Sequence, residues 1–142
     1  MKYLIMIASM MIAVTAMAAD FSQADWDKGG KAQDKAGAYI ACAFFGDMTS
    51  LGQKPDAYII PTEDVDKFRN AALGQYRMMN KYFQQPLTGD AETINYAEFV
   101  AGQEAVLWDK EGMNSKNQEQ FNAAARKHYH ERNCPMILES IK

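Results

Sequence analysis

The chain has 142 residues, of which 48% are hydrophobic, and a formal net charge of −3 from 15 basic and 18 acidic residues. That length is one domain's worth of core, and a mildly acidic balance with scattered Lys and Arg gives no electrostatic footprint for nucleic acid or anionic lipid. Only two cysteines are present, too few for a disulfide-dense scaffold or a thiolate metal cage.

The first residues read as an address. Lys2 supplies a short positive region, Leu4 to Val14 an apolar run broken only by Ser9, and Ala16-Met17-Ala18 the small residues of a cleavage site. This pattern predicts a secretory signal peptide over 1–18, cut before Ala19. The apolar stretch is shorter than the roughly 20 residues a spanning helix needs, so the mature chain is expected to be membrane-free. Residues 19–142 are then a single helical domain, periplasmic or secreted. Half of the methionines (1, 6, 10, 11 and 17) fall in the leader, which removes any case for a copper-binding methionine tract.

In an exported chain, two cysteines most simply form one disulfide. Cys42 lies within the most apolar mature run, Ala38 to Phe45, and Cys134 near the C-terminus. Their pairing would tie the first long helix to the last turn of the protein.

The segment from Asp20 to Gly30 contains Phe21 and Trp26 as possible anchors, and Gly29-Gly30 predicts a break. A first helix is expected over about 31–51, with Ile40, Phe44, Met48 and Leu51 as its apolar stripe and Gly37, Ala38, Ala41 and Ala43 leaving room for a neighbour. Asp56 to Ile60 lies between Pro55 and Pro61 and should be extended. Thr62 is the expected N-cap of a second helix, with Glu63 and Asp64 in its positive first turn. Its stripe of Val65, Phe68, Ala72, Tyr76, Met79 and Phe83 is the clearest periodicity in the chain.

A third helix, capped by Asp90, is assigned the face Ile94, Ala97, Ala101, Ala105 and Trp108, ending at Lys110-Glu111-Gly112. Ser115 with Gln118 suggests a capping box for a fourth. Its thin stripe of Phe121, Ala125 and Tyr129 predicts the most exposed of the four helices. Pro135 disfavours helix at Cys134, so a stop near Asn133 and a final turn carrying Ile137, Leu138 and Ile141 are expected. The fold class is therefore all-α: a small bundle of four main helices plus a short C-terminal helical turn, closed by one disulfide, Cys42 to Cys134.

Chemical motifs are sparse. Ile94 to Val100 resembles the end of a calcium loop in outline. Counting back from Glu98, however, puts Leu87, Gly89, Ala91 and Glu92 where oxygen ligands and the turning glycine are required. His128, His130 and Glu131 precede Cys134, but zinc needs three or four ligands and Cys134 has an expected partner. Both histidines suit the negative end of a helix. Glu98, Glu104 and Asp109 are acids without a sequence-level reason for catalytic pKa values, and no nucleophile, haem or phosphate-loop motif occurs. No cofactor or metal is implied, and the expectation is a non-enzyme.

The remaining candidate is Tyr58-Ile59-Ile60. Either the isoleucines tuck under the first two helices, or the loop is a proline-stiffened apolar finger for a partner. Asp56, Glu63, Asp64 and Asp66 around it favour a basic partner. The functional expectation is an exported protein that binds a protein partner, as an inhibitor, immunity-type protein or accessory factor. Its rivals are a carrier of a small apolar ligand or metal within the bundle, and an enzyme whose site is scattered in sequence.

Overall fold

A computed structural model describes residues 22–51, 58–83, 85, 87–110 and 117–141. Five helices run through them: α1 Gln23–Ser50, α2 Thr62–Tyr82, α3 Gly89–Lys110, α4 Gln118–Glu131 and α5 Cys134–Ser140. No strand occurs among the described residues. The all-α bundle closed by one disulfide is as expected, and Cys42 and Cys134 are bonded with their Cα atoms 5.5 Å apart. The leader and Phe21 lie outside the described residues, as do Asp56 and Ser115.

α1 starts earlier than its sequence suggests and passes straight through Gly29-Gly30. Ser22 caps it, its Oγ accepting from the Asp25 amide at 3.1 Å, with the Asp25 carboxylate in the positive first turn. Gly29 is a contact glycine, not a break. A Cβ there would lie 2.4 Å from the Phe83 ring, so only glycine lets that ring seat, and Trp26 closes over it at 5.1 Å between centroids.

The middle of α1 is buried on all sides, from Ile40 through Gly46. An all-round apolar helix belongs at the centre of a bundle, and α1 is the element that meets α2, α3 and α4. Phe44, Phe45, Val65, Phe68, Phe121 and Tyr129 pack with the disulfide into the main core. A second cluster forms at the other end around Ala32, Tyr76 and Met79. Leu51 is exposed rather than part of the stripe. It is the C-cap of α1, and its carbonyl accepts from Asn122 Nδ2 and Gln118 Nε2 of α4, each at 2.9 Å. Fully buried Asn122 thus satisfies carbonyls that a helix end leaves unpaired.

α2 buries Val65, Phe68, Ala72, Tyr76 and Met79 of the expected stripe, while Phe83 is its C-cap and only half-buried. Its N-cap is Pro61 and not Thr62, with no side-chain cap. Pro61 supplies the carbonyl that receives the Val65 amide at 3.2 Å.

α3 differs most from expectation. Ile94, Ala97, Ala101 and Ala105 are exposed, and of the expected face only Trp108, itself partly exposed, sets its ring against the core, at 6.3 Å from Phe44 and 5.6 Å from Phe121. The helix instead turns Tyr96, Phe99 and Leu107 toward the body, where Tyr96 and Phe99 meet the Tyr76 ring at 5.1 and 5.3 Å. Rings bury more area than alanines, so they set the rotation. No α3 residue is fully buried, which makes α3, rather than α4, the superficial helix. Phe121, Asn122, Ala125 and Tyr129 of α4 are all buried.

α4 is capped by Asn117, whose side chain accepts from Glu119 N at 2.9 Å, in place of the Ser115 capping box. It ends through Asn133 in the left-handed conformation (φ 55°), a residue type that tolerates that turn. α5 follows with Pro135 in its first turn, and Ile137, Leu138 and Ile141 pack half-buried against the core.

Candidate functional site

The loop entering α2 is fixed from below. Thr49, fully buried near the end of α1, donates its hydroxyl to the Gly46 carbonyl at 2.7 Å and accepts the Ile60 amide at 3.0 Å. Gly46 has space for no side chain, since a Cβ would stand 2.9 Å from Val65 Cγ2. Ile60 sits in that notch, 4% exposed, as part of the core. Pro61 then holds φ at −58°.

The two residues before it are outside. Tyr58 is 58% exposed and Ile59 39%. The sequence candidates Tyr58, Ile59 and Ile60 are therefore divided: Ile60 is the anchor, while Tyr58 and Ile59 form the surface. The Tyr58 ring lies nearly parallel to His130 of α4, at 28° and 6.4 Å between centroids. The Tyr129 phenol is pushed up to about 12, first by burial and then by the negative charges of Asp64 and Tyr58 nearby. Of the acids expected to attract a basic partner, Asp64 is paired with Lys67 at 2.8 Å and Asp66 with Arg69 at 2.9 Å. The platform is thus aromatic and apolar, with the ion-paired Asp64 and Asp66 on the following helix.

The other motifs have structural settings. Gly89 through Glu98 lies within α3, so no calcium loop forms there. His128 Nδ1 is 3.4 Å from Glu131, and its ring leans on Phe45 at 5.2 Å. Cys134 is held in the disulfide. Among the described residues, no three His, Cys, Asp or Glu are arranged to hold a metal ion.

One cluster had no signal in the sequence. Asp47 of α1, Asp66 and Arg69 of α2, and Glu104 of α3 converge, with Asp47 ion-paired to Arg69. Burial holds the Asp47 and Glu104 carboxyls above their ordinary range against the pull of Arg69, with Asp66 adding to the rise at Asp47 and Asp47 to the rise at Glu104. Tyr96 donates to the Arg69 carbonyl at 3.3 Å, and Arg77 grips Glu92 through two bonds of 2.9 Å. Together these contacts clamp α3 to the α1–α2 pair. The helices are joined here by residues 15 or more positions apart in the chain, which no local pattern encodes.

Comparison with protein-family models, curated proteins and solved structures finds no match to this chain.

Proposed function

We propose that this chain is an exported helical protein that binds a protein partner through the Tyr58–Ile59 platform, as an inhibitor, immunity-type protein or accessory factor in the periplasm or outside the cell. The observation that carries the reading is the division within one loop: Ile60 is pinned in the core while Tyr58 and Ile59 are held out. Leaving such side chains in water forgoes about 1.5–3 kcal/mol of burial apiece, and aromatic anchors are enriched where partners dock. A loop already fixed by Thr49 and Pro61 loses little entropy on binding. Export is supported by the leader pattern at 1–18 and by a disulfide suited to an oxidising compartment. No helix among the described residues is long and apolar enough to cross a membrane.

The test is the double variant Tyr58→Ala with Ile59→Ser. Its melting temperature should stay within about 2 °C of the parent, as expected for surface substitutions, while cross-linked capture of a partner from the exported fraction is lost. Capture that survives the double variant would refute the reading. N-terminal sequencing of the exported protein should begin at Ala19; a start at Met1 would remove the argument for the compartment.

A further inference from the structure

A second surface lies in the valley between α1 and α2, and it shares no residue with the Tyr58–Ile59 platform. The two helices run antiparallel, with Gly46 against Val65 at one end and Gly29 against Phe83 at the other. α3 and α4 cover part of this pair. Elsewhere the valley holds two hollows, of about 630 Å³ and 130 Å³, the larger bordered also by Ser140 and Ile141 at the end of α5. Gln75 and Met78 line both, so the two hollows adjoin along one face of α2. From Lys67 to Tyr82 the valley follows α2 for roughly 22 Å at 1.5 Å per residue, the length of a four-turn helix.

Its walls are basic. Lys28, Lys31 and Lys35 stand at i, i+3 and i+7 along α1, and Lys67 stands at the far end on α2. No Asp or Glu lines either hollow among the described residues, although the chain as a whole has a net charge of −3. Lys28 is engaged by Asp25 at 3.7 Å and by the Tyr82 ring at 5.6 Å, and Lys67 by Asp64. Lys31 and Lys35 have no ion pair among the described residues.

The floor is built for close approach. Ala32 and Ala71 are small, and a Cβ at Gly74 would meet nothing within 4 Å. Met78, 43% exposed, offers an adaptable apolar contact of the kind used at binding grooves. A valley between two antiparallel helices is a natural seat for a third, since helix axes pack 8–10 Å apart by ridges and grooves.

We infer that the α1–α2 valley binds an acidic amphipathic helical segment of a partner protein, its carboxylates meeting Lys31 and Lys35 and its apolar seam meeting Met78 over Gly74. Charge complementarity selects the occupant: the valley is lysine-lined on an acidic protein. Its length and open side suit a polypeptide better than a small anion.

The probe is a fluorescent 20-residue amphipathic helix with glutamates along its flanks and leucine and alanine along one seam. It is compared with the same peptide carrying lysines and with phosphatidylglycerol vesicles, all against the full exported protein. Anisotropy should show saturable binding of the acidic peptide and none of the basic one, weakening as salt screens the contact. Lys31→Glu with Lys35→Glu should lower affinity about tenfold or more. Gly74→Leu, which fills the larger hollow without touching the core, should abolish binding; both variants should keep the parent's helical signal. The Tyr58→Ala, Ile59→Ser variant should bind the peptide as the parent does, which keeps the two surfaces distinguishable. Four outcomes would overturn the inference: no binding of the acidic peptide at about millimolar concentration, equal binding of the basic peptide, vesicle binding in its place, or a peptide-free dimer that the same variants dissolve.

Discussion

Thr49→Val is the sharpest probe of how the candidate loop is held. The substitution keeps the volume of a fully buried side chain and exchanges one hydroxyl for a methyl. What is lost is the acceptor for the Ile60 amide, 3.0 Å away, and the donor to the Gly46 carbonyl at 2.7 Å. Ile60 is 4% exposed, so water cannot replace the acceptor without opening the core. A buried donor left unsatisfied costs about 1–3 kcal/mol. At about 4 °C per kcal/mol for a domain of this size, the melting temperature should fall by about 4–12 °C. Thr49→Ser keeps the oxygen and gives up only a methyl, about 1 kcal/mol. Hydrogen exchange separates the two cases cleanly: the Ile60 amide should be protected in the parent and in Thr49→Ser, and exchange much faster in Thr49→Val. A valine variant that melts with the parent, or one that keeps the Ile60 amide protected, would show that Thr49 does not hold the loop.

Three further outcomes are expected. Cys42→Ser and Cys134→Ser should lower stability equally, by up to about 4.6 kcal/mol in the chain-entropy limit, and the unreduced protein should titrate no thiol; unequal losses would mean the cysteines act separately. Gly74→Ala should stabilise by about 0.5–1 kcal/mol in chemical denaturation, because it raises helix propensity where a Cβ has open space; a loss would contradict that space. Glu104 has its carboxyl pushed above the ordinary 4.5 by burial, so the folded state holds its proton longer and its stability contribution falls as pH rises through that range. Glu104→Gln should therefore be more stable than the parent at pH 7 and lose that advantage as pH falls below 4.5; an advantage that persists in acid would refute the burial argument.

The parts legible in the sequence are those decided locally. The α2 stripe was readable because lysines and arginines occupy the opposite face, so only one rotation buries apolar area. The disulfide followed from there being two cysteines in a chain whose first residues read as an export leader. α3 was not readable in the same way. Its alanines fit more than one face, and the choice between Ile94–Ala105 and Tyr96–Phe99–Leu107 was made by the Tyr76 ring on another helix. Gly29-Gly30 looked like a break because the sequence does not disclose that Phe83 will press on the first glycine. At the candidate loop, Ile59 and Ile60 are chemically identical neighbours. Thr49, eleven positions from Ile60, together with the notch at Gly46, decides which one is inside. The lysine row of α1 read only as scattered charge, because the valley it borders exists only once α2 folds back along α1.

The superficial docking of α3 takes on a different meaning beside the covalent link that joins residues 92 apart. α3 lies wholly within the ring closed by Cys42 and Cys134, so if its ion pairs and ring contacts let go, it stays leashed at both ends. Its return is then unimolecular, governed by an effective concentration that dilution cannot lower. A protease cut between the cysteines likewise leaves one covalent molecule, whose two pieces part only after reduction. The same bond that limits unfolding would let this protein survive a nick with its helices still in reach of one another.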